Sequence, residues 1–328
     1  LLGISKQTVN INKIVLGDKA EDKVIKYVPH GLNHKIYRPL ETTEELDKME
    51  EMKYKLFGKD EIDFILFFNS RNIRRKQIPD AMWAFRMFLD SLPKEKADKC
   101  RFLLHTEIVH EAGTDLEAVR ELLFEDKYPN AIKFDTAKWT TEELNLLYNM
   151  TDCQILLTSN EGWGLTLTEA MLAGNPIIAN VTGGMQDQMR FEDENGEWYT
   201  PNLNVPSNHR GTYKKHGIWA EPVYPSNISL AGSPVTPYIF DDRCNPEDVA
   251  KAIYKVYKLG KDERNKRGMK GRLFAMSKEA MMTAENMANN VIDAVDETFD
   301  KFIPRKRFDL SLVEPPKAKY IEHKLTGY

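Results

Sequence analysis

The chain has 328 residues, of which 41% are hydrophobic and 29% are charged, a composition that suits one large or two ordinary globular domains. With 46 lysine and arginine residues against 50 aspartate and glutamate residues, the net charge is −4. This balance gives no general electrostatic reason to expect nucleic acid or an anionic membrane as a partner. No apolar run approaches the roughly 18 residues of a membrane-spanning helix, so we expect no membrane span.

Cysteine usage favours a reducing compartment. The three cysteines, Cys100, Cys153 and Cys244, are widely spaced and form no C-x-x-C pair, which argues against a disulfide framework or a zinc site. We therefore expect a cytoplasmic protein. The chain begins with Leu1 and not with Met, so we expect that part of the protein lies upstream.

Short apolar runs alternate with amphipathic stretches as far as about residue 180. The predicted strands are Lys26–Val28, Phe64–Phe68, Phe102–His105, Ile132–Phe134, Gln154–Thr158 and Pro176–Ala179. The predicted helices between them are Thr42–Phe57, Gln77–Leu92 and Thr140–Met150. This alternation predicts an α/β fold, a Rossmann-like parallel sheet with helices on both faces and ligands at the carboxyl ends of the strands.

The alternation stops at residues 190–242, where prolines are interleaved with aromatic residues. This composition predicts an ordered, loop-rich insertion with short strands, most simply a surface elaboration. The alternative is that the segment contacts the acceptor or a partner. Helical patterns resume in Pro246–Leu259, Asp262–Ser277 and Glu279–Phe302. The tail, residues 301–328, is predicted to be an extended arm.

The most informative stretch is Ser159–Met171, where an apolar strand passes through a glycine-bearing turn into a helix. Gly162 and Gly164 allow a ligand to approach the backbone. The first helical amides, at Gly164, Leu165 and Thr166, would suit a diphosphate. Glu161 and Glu169 flank these amides, and ionised carboxylates accept hydrogen bonds from pairs of sugar hydroxyls. The stretch therefore suits a nucleotide-sugar site; the alternative is that Glu161 caps the helix and Glu169 is a first-turn residue favoured by the dipole.

A basic cluster follows the strand Phe64–Phe68, in the run from Asn69 to Lys76. Arg71 and Lys76 could neutralise the charge that develops on a departing diphosphate. Arg74 and Arg75 fit a solvated turn better.

These residues resemble a known family. Glu161 and Glu169 have the E-x7-E spacing of retaining GT-B glycosyltransferases, especially family 4 (group 1), within a run similar to that family's signature. Other motifs of the family are matched in order, with Asn33 where Asp is usual and Ser70 where Gly is usual. These are Val28–Asn33 with Tyr37–Pro39, Arg71 with Lys76, Glu142–Tyr148, Pro176–Ala179 and Thr182–Gly184.

The resemblance implies a role for each matching residue. Glu161 would hold the hydroxyls of the donor sugar, Glu169 the ribose hydroxyls, and Arg71 and Lys76 the diphosphate. Gly162 and the amides of Gly164, Leu165 and Thr166 would meet the distal phosphate, Thr136 and Lys138 would frame the base, and Gly31 would contribute to donor binding. The family needs no essential metal or other cofactor, and it transfers the sugar with retention of configuration.

The resemblance also implies a domain organisation. Residues 1–24 would be the remnant of an N-terminal acceptor domain or an interdomain segment, and residues 25–300 the nucleotide-sugar donor domain. The resulting expectation is a glycosyltransferase acting on a nucleotide diphosphate sugar and an unknown acceptor, a glycan, a protein or a small molecule. The alternative is a non-catalytic nucleotide-sugar-binding or structural module that lacks the acceptor domain. A nicotinamide-dependent oxidoreductase is disfavoured, because no G-x-G-x-x-G follows the first strand.

Overall fold

The computed structural model describes residues 1–202 and 209–304. Within them, the strands are β1 (Leu2–Gly3), β2 (Lys26–Tyr27), β3 (Phe64–Asn69), β4 (Cys100–His105), β5 (Ile132–Asp135), β6 (Cys153–Leu156), β7 (Ile177–Asn180), β8 (Ala220–Val223), β9 (Asn227–Ser233) and β10 (Thr236–Arg243). The α-helices of the same residues are α1 (Lys6–Leu16), α2 (Thr43–Phe57), α3 (Ile78–Asp90), α4 (Lys94–Ala97), α5 (Leu116–Phe124), α6 (Thr141–Met150), α7 (Leu165–Ala173), α8 (Met185–Met189), α9 (Pro246–Lys258), α10 (Gly260–Ala275) and α11 (Ala284–Asp300).

A six-stranded parallel sheet forms the centre of the molecule, in the order β5, β4, β3, β6, β7, β8. Its strands are apolar and almost fully buried, as in Phe64–Phe68, because helices cover a parallel sheet on both faces. The strand order reverses between β3 and β6, and ligands of doubly wound sheets bind at such a point, outside the carboxyl ends of the strands. The predicted fold class, a Rossmann-like parallel sheet, is confirmed.

The helices begin where the sequence supplies caps. Thr42 with Glu45 and Thr140 with Glu143 form complete capping boxes at the starts of α2 and α6, and these boxes satisfy backbone N–H groups that the first turn leaves free. The predicted helix Gln77–Leu92 begins one residue later than expected, because Gln77 has a positive φ of 54°. The predicted helix Glu279–Phe302 is likewise shorter and starts at Ala284, because the Thr283 side chain caps it.

The segment 190–242 contains two different structures among its described residues. Strand β8 pairs with β7 and completes the main sheet, so the segment is not wholly an insertion. Strands β9 and β10 form a separate antiparallel hairpin. Residues 203–208, with Pro206, and most of the expected tail, residues 305–328, lie outside the described residues.

Residues 1–24 pack against the rest of the chain. Strand β1 pairs in parallel with β2, with Leu2 beside Lys26. The backbone N–H of Lys6 donates a hydrogen bond to Oδ2 of Asp187, at 2.8 Å, and the Lys6 ammonium lies 3.5 Å from the centre of the Trp198 ring. The first segment of the chain is thus fixed beside α8.

Candidate active site

Two loops meet where the strand order reverses. The basic turn after β3, residues 70–77, and the glycine loop after β6, residues 157–164, both leave the carboxyl edge of the sheet. The backbone N–H of Ser159 donates to the carbonyl oxygen of Arg75, at 2.8 Å. Parallel pairing of β3 with β6 therefore brings together motifs that lie more than 80 residues apart.

Glu161 lies between two cations. Its Oε2 accepts hydrogen bonds from Nζ of Lys76 and from a guanidinium nitrogen of Arg75, the latter at 3.0 Å. Its Oε1 accepts none from the part of the chain that the structure describes. Burial lowers the pKa of Lys76, and the Glu161 carboxylate opposes that effect. The expectation that Arg75 belongs to a solvated turn is wrong, and so is the alternative that Glu161 caps α7, because no side chain caps that helix.

Arg71 does not join this cluster. Its side chain is exposed and its guanidinium makes no hydrogen bond within residues 1–202 and 209–304. The pKa of the Glu107 carboxyl lies below its usual range, mainly because the backbone N–H of Asn72 donates a hydrogen bond to it, and the charge of Arg71 adds to this effect. A role for Arg71 toward a diphosphate stays a prediction.

Glu169 is held by two tyrosines. Its Oε1 accepts a hydrogen bond from the hydroxyl of Tyr37, at 3.3 Å, and its Oε2 accepts one from the hydroxyl of Tyr148. Asn69, the last residue of β3, donates in turn to the Tyr148 oxygen, at 3.0 Å. Burial raises the pKa of Glu169, while the two tyrosine hydroxyls act to lower it. Glu169 is the fifth residue of α7, so the first-turn alternative is wrong.

The start of α7 has the features expected of an anion site. Gly164 occupies the N-cap position of α7 with φ +89°, a left-handed conformation that favours glycine. Leu165 and Thr166 provide the first helical amides, and Oγ1 of Thr166 is buried without a hydrogen-bond partner. Gly162, in the preceding turn, is exposed. Positive dipole, free amides and an unsatisfied hydroxyl together suit a phosphate group.

Hydrogen bonds from helix α8 hold the glycine loop in place. Nε2 of Gln188 donates to the carbonyl oxygen of Trp163, at 2.7 Å, and Oε1 of Gln188 accepts from the hydroxyl of Thr168, at 2.8 Å. The backbone N–H of Gly184 donates to the carbonyl oxygen of Glu161, at 3.2 Å. Sequence reasoning assigned no role to Gln188, because a glutamine in a short helix carries no distinctive signal.

The residues expected to frame a base lie on the same edge, after β5. Thr136 and Lys138 are both exposed. Gly31 lies against the start of α11, where a Cβ would come within 2.1 Å of the carbonyl oxygen of Thr283. Close packing against α11 therefore explains glycine at this position, and its contribution to donor binding stays a prediction.

The hairpin β9–β10 is attached directly to the glycine loop. Nδ2 of Asn160 donates to Oδ1 of Asp241, at 2.6 Å, and the backbone N–H of Asp242 donates to the carbonyl oxygen of Ser159, at 2.9 Å. Between the hairpin and the basic turn lies a cavity of about 490 Å³, lined in part by Arg75 and Asn160. The hairpin is thus a wall beside the candidate site and more than a surface elaboration.

Comparison with known proteins identifies a related family. Residues 58–210 match the model of the family described as Glycosyl transferases group 1. The resemblance to group 1 glycosyltransferases of the GT-B fold is thereby confirmed over this segment, which includes both glutamates. No curated protein matches the sequence.

Several solved structures have a similar fold. A glycosyltransferase from Rickettsia africae has a TM-score of 0.61 and 18% identity, over 91% of this chain and 63% of its own. The Anabaena protein HepE, crystallised in complex with UDP and glucose, has a TM-score of 0.60 and 13% identity, over 90% of this chain and 62% of its own. The C-terminal domain of a group 1 family glycosyl transferase from Francisella tularensis has a TM-score of 0.51 and 15% identity, over 76% of this chain and 98% of its own.

The chain thus spans about three fifths of the length of the Rickettsia and Anabaena proteins. Among the described residues, no helix is both long and apolar enough to cross a membrane.

Proposed function

We propose that the chain binds a nucleotide diphosphate sugar at the carboxyl edge of its sheet and takes part in transferring the sugar to an acceptor. The observation that carries this proposal is the placement of Glu161 and Glu169 on either side of the uncapped start of α7. Each carboxylate is fixed by other side chains, and each keeps acceptor capacity for a ligand, at Oε1 of Glu161 and on both oxygens of Glu169.

Each group has one task in this proposal. Glu161 accepts hydrogen bonds from the donor sugar, since its free oxygen lies at the turn before α7. Glu169 accepts hydrogen bonds from the ribose. The amides at the start of α7 and the hydroxyl of Thr166 bind the distal phosphate. Lys76 and Arg75 stabilise the negative charge that develops as the diphosphate leaves, because preorganised cations act most strongly where charge appears in the transition state.

Transfer with retention of configuration, by a family 4 enzyme without a metal, is part of the same proposal, as is a cytoplasmic location. Metal independence is supported by Lys76, Arg75 and the amides at the start of α7, because these groups can stabilise the negative charge of the leaving diphosphate without a metal ion. The proposal includes no cofactor beyond the donor itself.

The direct test is to incubate the purified chain with radiolabelled UDP-glucose or GDP-mannose and a panel of sugar, lipid and peptide acceptors, with and without EDTA. We expect the chain to bind the donor weakly and to transfer no sugar on its own, because it spans about three fifths of the length of the Rickettsia and Anabaena proteins and transfer requires that an acceptor be positioned and water be excluded. A form of the protein that carries an acceptor domain, binds the donor and still transfers no sugar would favour the non-catalytic module. If no nucleotide sugar binds, with ADP- and CDP-sugars included in the panel, the proposal is wrong.

A further inference from the structure

The carboxyl edge of the sheet holds an imidazole–carboxylate pair that the proposed function does not use. His105 ends β4 and Asp135 ends β5, and the two residues are direct neighbours in the parallel register. Nδ1 of His105 lies 2.8 Å from Oδ2 of Asp135. The pair stands where the base of a bound nucleotide is expected, beside Thr136 and Lys138.

Asp135 accepts hydrogen bonds from three groups. Besides His105, the indole N–H of Trp139 donates to Oδ2 at 2.7 Å and the backbone N–H of Ala137 donates to Oδ1 at 3.1 Å. Burial opposes ionisation of this carboxyl, but the hydrogen bonds from His105, Trp139 and Ala137 prevail and hold its pKa below the usual range. Because an ionised carboxylate only accepts, the hydrogen between the two side chains belongs to Nδ1 of His105.

The other ring nitrogen of His105 is left for a ligand. Nε2 makes no hydrogen bond within the described chain, and it is not enclosed, since it is absent from the buried atoms that lack a partner. The side chain is 21% exposed. The ring lies near enough to Glu169, the glutamate assigned to the ribose, for the two side chains to interact electrostatically.

We propose that His105 is a base-recognition residue whose Nε2 accepts a hydrogen bond from a ring N–H of the donor's nucleobase. This inference rests on the proposed function, because it takes the nucleotide to lie with its ribose at Glu169. Uracil offers N3–H and guanine offers N1–H, whereas the corresponding nitrogens of cytosine and adenine are acceptors. With its hydrogen on Nδ1 and a lone pair on Nε2, the ring therefore selects UDP over CDP and GDP over ADP, since an unmatched pair of acceptors is penalised in a recognition site.

Calorimetric titration of the full chain with UDP, CDP, GDP and ADP tests this assignment. UDP and CDP carry the same ribose and diphosphate, so the ratio of their affinities reports only on the edge of the base. At pH 8 we expect UDP to bind about tenfold more tightly than CDP, or GDP about tenfold more tightly than ADP, a difference of the size of one hydrogen bond. His105→Ala should reduce this affinity ratio to near one. His216→Ala, which removes a half-buried imidazole from a loop outside the site, should leave it unchanged.

Discrimination that persists in His105→Ala, or a wild-type preference for CDP and ADP at pH 8, overturns the role of His105 while the proposed function stands. Failure of all four nucleotides to bind the folded wild type overturns both.

Discussion

The phenolic hydroxyl of Tyr148 donates a hydrogen bond to the carboxylate of Glu169, although the two residues lie on different helices, α6 and α7, and 21 positions apart. Tyr37 donates to the other carboxylate oxygen from the segment between β2 and α2. The carboxylate is thus oriented before any ligand arrives, and a preorganised acceptor loses little entropy when a ribose binds.

Tyr148→Phe should weaken nucleotide binding most at low pH. Burial raises the pKa of Glu169, and the two tyrosines act to lower it, so removal of one hydroxyl should raise that pKa further. Since the ionised carboxylate is the better acceptor for ribose hydroxyls, the affinity for UDP or GDP should begin to fall at a higher pH than in the wild type. Calorimetry between pH 5.5 and 8.5 measures the difference.

Tyr54→Phe is the matched control, since Tyr54 is 58% exposed on the outer surface of α2. It should reproduce the wild-type profile. If Tyr148→Phe also reproduces that profile, the tyrosine does not tune Glu169.

Glu169→Gln should stabilise the fold at neutral pH although it impairs binding. The pKa of Glu169 is raised by burial, so the ionised side chain costs stability in the folded state. This cost is absent below the pKa of an unfolded carboxyl, about 4.3, and develops as pH rises through the higher pKa of the folded state. The free energy of unfolding of Glu169→Gln should therefore exceed that of the wild type at pH 8, and the gap should close on acidification.

Urea denaturation at a series of pH values measures this gap. Glu121→Gln, at an exposed position of α5, serves as the control and should show no pH-dependent gap. A wild type more stable than Glu169→Gln at pH 8 would mean that the tyrosine hydrogen bonds outweigh the burial of the charge.

In a form of the protein that carries an acceptor domain, Lys76→Ala should lower the turnover of a labelled nucleotide sugar by roughly 10²–10³-fold, the scale for removal of one preorganised stabilising group. Arg74→Ala, an exposed cation two positions earlier in the same turn, is the matched control and should have little effect. Turnover should also survive EDTA. Activity lost in EDTA and restored by Mg²⁺ or Mn²⁺ would show that a metal does the work assigned here to Lys76 and Arg75.

The strands of the central sheet were predictable because their residues are buried on both faces and form continuous apolar runs, as in Phe64–Phe68. Strand β8 was missed because Ala220–Val223 contains a proline and lies among other prolines, a composition typical of loops. Helices α1 and α5 were missed because they are short, with 11 and 9 residues, and lack the capping box that marks the starts of α2 and α6.

Prediction of the site followed the same physical limits. Glu161, Glu169 and Lys76 belong to local motifs with fixed spacing, so the sequence alone predicts them. Tyr37 and Tyr148 reach Glu169 only through the fold, and a tyrosine within a helical apolar pattern resembles a core residue. Arg75 could not be told apart from Arg71 by composition, because the direction of each side chain depends on the path of the turn.

The most direct test of the donor site is a calorimetric comparison of the nucleotide with its sugar, using UDP against UDP-glucose or GDP against GDP-mannose, whichever pair binds. Glu169→Ala should weaken both ligands alike, by about 1–3 kcal/mol, because both carry the ribose. Glu161→Ala should weaken the nucleotide sugar much more than the free nucleotide, because only the former carries the hydroxyls assigned to Glu161. Equal losses for both ligands in Glu161→Ala, or unchanged affinities in Glu169→Ala, would contradict the assignment of these two glutamates.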